Sequence, residues 1–122
     1  MSSEPLIAII DDDEGVRISL DGLVRSLGYR VLTFESAEAF LASVEGASSN
    51  LVISDVNMPG GMSGISLAGQ LAHASRMRVI LISAFVDDKA RDQAEAAGVY
   101  RFLRKPFDGE VLIASVESAL AA

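Results

Sequence analysis

Four short runs rich in apolar residues, each followed by a polar or charged residue, constrain the fold of this chain most strongly. The runs cover residues 6–10, 51–54, 79–82 and 100–104. Continuous runs of this kind, rich in Ile and Val, are typical of strands that are covered on both faces of a parallel sheet. The residues that follow the runs are Asp11, Asp55, Ser83 and Lys105. Because the carboxyl ends of parallel strands meet at one edge of the sheet, we expect these four side chains to lie close together.

Segments with helical spacing separate the runs. In the first segment the apolar residues recur at helical intervals from Val16 to Leu27, and Gly28 provides a stop. The second segment is expected to place four apolar side chains on one helical face, namely Ala37, Phe40, Leu41 and Val44. The expected helix N-caps are Ser36, either Asp87 or Asp88, and Asp108.

The order of these elements predicts a single α/β domain over residues 1–122. A further strand is expected over residues 29–34, so the chain consists of five strand-then-helix units. Strict alternation of this kind predicts a doubly wound, five-stranded parallel sheet with five helices on its two faces. Periodicity does not define the strand order, and we take the common order 2-1-3-4-5 as a working hypothesis because it makes the first and third strands neighbours.

Composition excludes several classes of protein. The chain has 122 residues, of which 10 are Lys or Arg and 17 are Asp or Glu, giving a net charge of −7. This balance argues against direct contact with nucleic acid or with an anionic membrane, since both depend on clustered positive charge. The absence of cysteine excludes disulfides and thiolate metal sites. With neither a signal peptide nor a membrane span at the N-terminus, we expect a cytoplasmic location.

The expected edge of the sheet has the chemistry of a magnesium and phosphoryl site. Two carboxylates about 5 Å apart repel by roughly 3 kcal/mol at an effective dielectric constant near 20, so a cation or a proton is needed there. Mg²⁺ prefers oxygen ligands and takes one or two carboxylates together with water and phosphate. Asp11 or Asp12 with Asp55, and the backbone carbonyl near Asn57, are candidate ligands. Lys105 is suited to neutralise a phosphoryl oxygen, and Ser83 to donate a hydroxyl.

Five separated elements of the sequence resemble the signature of bacterial two-component response-regulator receiver domains. They are Asp11-Asp12, Asp55, the Met58-Pro59 pair that follows it, Ser83-Ala84, and Lys105-Pro106-Phe107. The resemblance covers the whole chain and implies a CheY-like, flavodoxin-type fold. The Lys105-Pro106-Phe107 ending and the segment 36–40 look closest to the receivers that regulate nitrogen fixation.

The resemblance also implies a role for each residue of the site. Asp55 is the expected phosphoacceptor, and Mg²⁺, with Mn²⁺ as a substitute, is held by Asp11, Asp12, Asp55 and the backbone carbonyl of Asn57. Ser83 is the expected switch hydroxyl and Lys105 the ammonium that contacts the phosphoryl group. Phe102 matches the switch aromatic that turns inward when Ser83 moves. The bond between Lys105 and Pro106 is expected to be cis.

Three departures from the family pattern qualify these expectations. The turn after Asp55 is one residue longer than usual, and the pair Gly60-Gly61 suggests a mobile loop beside the acceptor. Arg101 stands where many relatives carry an acid on the dimerisation surface, so the family's dimer salt bridges are not expected in their usual form. Phe85, two residues after Ser83, is expected to influence the lifetime of the phosphoryl group.

The leading interpretation is a phosphorylation switch without enzymatic turnover of a separate substrate. The expected partner is a sensor histidine kinase or a phosphotransfer protein, and homodimerisation on phosphorylation stays open. The alternative is a small aspartyl-phosphate hydrolase of the haloacid-dehalogenase kind, but Asn57 stands where that family needs a second carboxylate. An unphosphorylated interaction module is the third interpretation. The sequence leaves the output open, either a stand-alone regulator or the receiver of a larger protein.

Overall fold

In the computed structural model, which describes residues 4–74, 77–84 and 86–121, five strands and five α-helices alternate along the chain. The strands are β1 (Leu6–Ile10), β2 (Arg30–Phe34), β3 (Leu51–Asp55), β4 (Arg78–Ser83) and β5 (Arg101–Arg104). The helices are α1 (Glu14–Arg25), α2 (Ala37–Ala42), α3 (Gly64–Ala74), α4 (Asp88–Ala96) and α5 (Gly109–Ala121). A short 3₁₀ helix, Gly46–Ser48, precedes β3. Phe85 lies outside the described residues, so its expected role stays a prediction.

The sheet is parallel, with the strand order β2-β1-β3-β4-β5, which confirms the working hypothesis. The runs of β1, β3 and β4 form buried strands because each of their two faces packs against helices, whereas β5 is partly exposed. Ile7 and Ile9 point to a core layer shared with α1 and α5, whereas Ala8 and Ile10 point to a layer shared with α2, α3 and α4. This alternation along one strand explains why the runs are continuously apolar.

Local capping defines where the helices begin. The side chains of Ser36 and Asp87 accept hydrogen bonds from the third residue after each of them, Ala39 N and Ala90 N. Asp108 Oδ1 accepts from the amide of Glu110 at 2.7 Å. These contacts confirm the expected N-caps and select Asp87 over Asp88, since the side-chain oxygen satisfies amides that the first helical turn leaves without partners.

The expectation for the second helix was wrong at its end. Leu41 is 43% exposed, and Val44, at 87% exposed, lies beyond the last residue of α2. Ala37 and Phe40 are buried as expected. Helical spacing suggested a longer helix, but Ser43 already has an extended backbone conformation, so the fourth apolar residue never reaches the buried face.

The two edges of the sheet have different roles. We call the end at which β1, β3, β4 and β5 finish the carboxyl edge, and the end at which the strands begin the amino edge. The carboxyl edge carries Asp11, Asp55, Ser83 and Lys105, as the sequence predicts. Among the described residues, no helix has the length and apolar character that crossing a membrane requires.

Candidate functional site at the carboxyl edge

Asp11 and Asp55 lie side by side because β1 and β3 are neighbours in the sheet. Ile10 pairs with Ser54, so the next residue of each strand reaches the edge at the same level. Asp11 is 1% exposed and Asp55 is 7% exposed. Two carboxyl groups are therefore buried side by side at the carboxyl edge of the sheet.

Asp12 completes a group of three carboxylates. One oxygen from each of Asp11, Asp12 and Asp55 lies within 4.8 Å of the other two, and Asp12 is exposed while the other two are buried. Oxygens on opposite sides of an octahedral Mg²⁺ ion are about 4.2 Å apart, since each bond is about 2.1 Å long. The three donors therefore fit one ion after a small movement, with Asp12 on the solvent side.

Lys105 lies between the two buried carboxylates. Its ammonium nitrogen is 3.1 Å from Asp11 Oδ2 and 3.5 Å from Asp55 Oδ1. Burial on its own would lower the pKa of Lys105, but the hydrogen bond that Lys105 donates to Asp11 and the negative charges of both carboxylates outweigh it, so the pKa is raised. The lysine consequently stays charged over the whole physiological pH range.

The carboxyl group of Asp55 is held in an unfavourable environment. Burial is the main cause that raises its pKa, the negative charge of Asp11 adds to this effect, and Lys105 opposes both. Asp11 is better supported, because its Oδ1 accepts the amide of Asp13 at 2.9 Å and its Oδ2 accepts Lys105. A positive charge added beside the two buried acids would therefore stabilise the carboxylate of Asp55 more than that of Asp11.

A main-chain hydrogen bond joins Lys105 to Ser83. The amide of Lys105 donates to the carbonyl of Ser83 at 2.8 Å, and Ser83 is 1% exposed at the end of β4. The bond between Lys105 and Pro106 is cis, as expected. The hydrogen bond therefore places Ser83 and Lys105 next to each other at the carboxyl edge.

Asn57 and Phe102 are the remaining predicted residues of the site. Asn57 is exposed in the loop between β3 and α3, two residues after Asp55. Phe102 is half-buried in β5 and packs against the core layer of α2, α3 and α4. A depression of about 230 Å³ lies beside it, lined by residues of α4 and β5. The inward movement expected of Phe102 stays a prediction.

Sequence reasoning missed three contacts around the site. The side chain of Asp13 caps α1 by accepting the amide of Val16. Arg17 donates to the carbonyl of Asp11 at 2.7 Å. Glu38 accepts the amide of Met62 in the loop after β3. An Asp three residues before an apolar helical position is a recognisable cap signal, whereas the other two contacts leave no pattern in the sequence.

Comparison with known proteins agrees with this geometry. The profile of the family described as response regulator receiver domain matches residues 7–117. The chain is 37% identical over 121 residues to the transcriptional regulatory protein FixJ of Bradyrhizobium diazoefficiens, covering 98% of this chain and 58% of that protein. It is 40% identical over 118 residues to the response regulator protein TmoT of Ectopseudomonas mendocina, covering 96% of this chain and 53% of TmoT. The chain thus spans little more than half the length of these curated relatives.

Solved structures show the same fold. The BeF3-activated receiver domain of DrrB superimposes with a TM-score of 0.90 at 29% identity, covering 98% of this chain and all of that one. The response regulator StyR superimposes with a TM-score of 0.86 at 36% identity, covering 98% of this chain and 60% of StyR. These comparisons give no support to the haloacid-dehalogenase alternative. With the family profile matched over most of its length and FixJ among its relatives, this chain belongs to the response regulator receiver domains.

Proposed function

We propose that this domain is a phosphorylation switch in which Asp55 accepts a phosphoryl group from the phosphohistidine of a sensor histidine kinase or phosphotransfer protein. The observation that supports it most is the position of Asp55. Its buried carboxyl group lies within one cluster with Asp11 and Asp12, and Lys105 is 3.5 Å away. Such a nucleophile needs positive charge beside it and a donor brought in from the solvent side.

The transfer exchanges one bond for another. An oxygen of the ionised Asp55 carboxylate attacks phosphorus in line, the P–N bond to the imidazole breaks, and the imidazole nitrogen takes up a proton as it leaves. Lys105 then pairs with a phosphoryl oxygen in place of a carboxylate, and the Ser83 hydroxyl donates to a second oxygen. The product is an acyl phosphate on this chain, so no separate substrate is turned over.

A divalent ion completes this site when it is bound. The chemistry that Mg²⁺, or Mn²⁺ in its place, supplies is neutralisation of charge on the carboxylates and on the phosphoryl oxygens. Asp11, Asp12 and Asp55 would hold it, together with the backbone carbonyl of Asn57. The donor set is entirely oxygen, which suits these hard cations.

The readout is expected at the surface formed by α4, β5 and α5. Movement of the Ser83 hydroxyl toward the phosphoryl group would free space for Phe102 to turn inward, which biases a two-state surface. This surface would control a partner or an output domain, and a homodimer formed through it is one form of that control. A domain of this kind has no need to contact nucleic acid or membrane itself.

The test is chemical modification detected by intact mass. Incubation with acetyl phosphate and Mg²⁺ is expected to add one phosphoryl group to the wild-type chain, and chelation of the ion is expected to prevent it. The Asp55→Asn variant keeps the size of the side chain and removes the nucleophile, so it is expected to stay unmodified. Modification that persists in Asp55→Asn would assign the acceptor to another residue.

A further inference from the structure

A carboxylate outside the site contacts the loop that follows the phosphoacceptor. Glu38, the second residue of α2, accepts a hydrogen bond from the amide of Met62 through Oε2 at 2.7 Å. The neighbouring Gly61 lies so close that a Cβ placed on it would be 2.9 Å from both carboxylate oxygens. Glu38 therefore lies directly against the main chain of residues 61–62, across 24 positions of sequence.

The loop in question joins β3 to α3 and is also held at its base. The amide of Gly64 donates to the carbonyl of Val56 at 3.0 Å. Gly64 approaches the carbonyl of Asp55 so closely that a Cβ would meet that oxygen at 2.3 Å. In the middle of the loop Met58 is buried and packs in the same core layer as α2 and α3. In the sequence, Asn57 lies between Val56 at the base of the loop and the buried Met58.

Glu38 bonds to the main chain of the loop tip, whereas the other contacts of Met62 are made by its side chain, which packs against the same core layer and accepts the side-chain amide of Gln70 at sulfur. Gly60 has a positive φ of 84°, and Gly60 and Gly61 are both exposed. Adjacent glycines lose more conformational freedom on ordering than any other pair, so a rigid loop here needs a specific contact. A hydrogen bond from an amide to a carboxylate is among the stronger ones available.

We propose that Glu38 is a positioning residue for the divalent-cation site: by holding residues 61–62, it restricts the movement of the β3–α3 loop, whose first part carries Asn57. This inference rests on the proposed function, since it concerns the ion that function requires. It makes α2 part of the device that sets cation affinity, although no residue of α2 belongs to the carboxylate cluster.

Calorimetric titration with Mg²⁺ alone tests the proposal in the unmodified protein. Glu38→Ala is expected to weaken Mg²⁺ binding by about 3- to 10-fold, the loss expected for one charge-assisted hydrogen bond that orders a loop. Glu38→Gln keeps an acceptor oxygen and is expected to restore affinity to within about 2-fold of wild type. Glu45→Ala removes the same charge from an exposed position beyond α2 and is the matched control, with affinity unchanged.

A second variant breaks the same contact from the other side. Gly61→Ala places a methyl group against the Glu38 carboxylate and is expected to reduce affinity by a similar factor. Combining it with Glu38→Ala is expected to add no further loss, because both changes remove one interaction. Amide hydrogen exchange in the absence of Mg²⁺ provides an independent readout: exchange at Met62 is expected to accelerate in Glu38→Ala and not in Glu45→Ala.

The outcomes separate this proposal from the proposed function. Unchanged Mg²⁺ affinity in Glu38→Ala would overturn the positioning role, and faster exchange at Met62 with unchanged affinity would leave Glu38 a tether of the loop only. A loss of affinity that Glu45→Ala reproduces would also overturn it, as an effect of net charge. Failure of acetyl phosphate to modify the wild type would refute the proposed function, while the Mg²⁺ titration would still decide the role of Glu38.

Discussion

The polar groups at the two edges of the sheet have opposite environments: at the amino edge they are hydrogen-bonded to one another, and at the carboxyl edge like charges are clustered. At the amino edge, the side-chain oxygen of Asn50 accepts a hydrogen bond from the main-chain amide of Leu6 at 2.9 Å. The main-chain amide of Asn50 donates to the carbonyl of Leu6 at 2.7 Å. The guanidinium groups of Arg78 and Arg101 both lie over the ring of Tyr100, and the hydroxyl of Tyr100 is hydrogen-bonded to Ser118. At the carboxyl edge, buried carboxylates stand together with a single ammonium between them.

The comparison indicates which edge of the sheet stabilises the fold. Asn50 and Leu6 at the amino edge satisfy one another, so replacing Asn50 is expected to reduce the free energy of unfolding. Asp11 and Asp55 at the carboxyl edge compete for one counter-charge, so removing the less supported carboxylate, Asp55, is expected to stabilise the fold. Strain of this kind persists in native proteins where function requires it.

The largest effect is expected where the carboxyl edge depends on main-chain packing and not on charge. Gly64→Ala would place a methyl group 2.3 Å from the carbonyl oxygen of Asp55, and a main-chain atom cannot rotate away. We expect a loss of about 3 kcal/mol in the free energy of unfolding, measured by urea denaturation. Gly69→Ala in the same helix has open space around the new atom and is the control, with a gain of about 0.5–1 kcal/mol. Equal stability of the two variants would contradict this packing.

The next effect tests the amino edge. Asn50→Ala leaves the amide of the buried Leu6 without its acceptor, and we expect a loss of about 1–2 kcal/mol in the free energy of unfolding. Asn50→Asp keeps a side-chain oxygen at the same position and is expected to retain most of the stability. An Asn50→Ala variant as stable as wild type would show that the Asn50 side chain does not stabilise the amino edge.

A gain in stability is expected at Asp55. Because folding raises the pKa of this carboxyl above its ordinary value of 3.8, the folded state holds the proton more tightly than the unfolded state does. The stability linked to this group is present below the ordinary pKa and is lost as pH rises through the raised value. Without divalent ions, Asp55→Asn should therefore be more stable than wild type by about 1 kcal/mol at pH 7. The advantage should shrink as pH falls toward 4.

Urea denaturation at both pH values, with and without Mg²⁺, measures this effect. Added Mg²⁺ is expected to stabilise wild type more than Asp55→Asn, since a ligand that binds only the folded state raises its stability. Asp55→Asn that is less stable than wild type at pH 7 without Mg²⁺ would show that the pairing with Lys105 dominates at this residue.

The smallest effect concerns a weak point of the amino edge. Ser49 Oγ is buried, and within the described part of the chain it has no hydrogen-bond partner. Ser49→Ala is expected to change the free energy of unfolding by less than about 1 kcal/mol, in the stabilising direction, because no bond is lost and a buried hydroxyl is removed. A clear destabilisation, seen in the same urea measurements, would reveal a partner for this hydroxyl.

The sequence predicted most of the sheet because its information was local. Apolar runs gave the strands to within about a residue at each end, although Asp55 and Ser83 proved to be the last residues of β3 and β4. Parallel pairing then placed Asp11, Asp55 and Lys105 together without further information. The strand order came from a common topology and from family resemblance, since no periodicity encodes which strands are neighbours.

What the sequence could not supply was contact between distant elements. Val44 fits the helical spacing, but the backbone leaves the helix before it. The glycines at 60 and 61 suggested a mobile loop, whereas the structure shows its tip bonded to Glu38. An exposed glutamate on a short helix resembles every other solvated acid, so only three-dimensional proximity reveals its partner. Mobility of that loop stays a prediction.

The ammonium of Lys105, seated 3.1 Å from Asp11 and 3.5 Å from Asp55, acts as a resident competitor. A divalent ion that binds the carboxylates would have to share them with the Lys105 ammonium or displace it. Because the lysine is part of the same chain, its effective concentration at the site does not fall on dilution. A monovalent ion would offer these acids no more charge than the lysine already does, so we expect the site to favour a divalent ion.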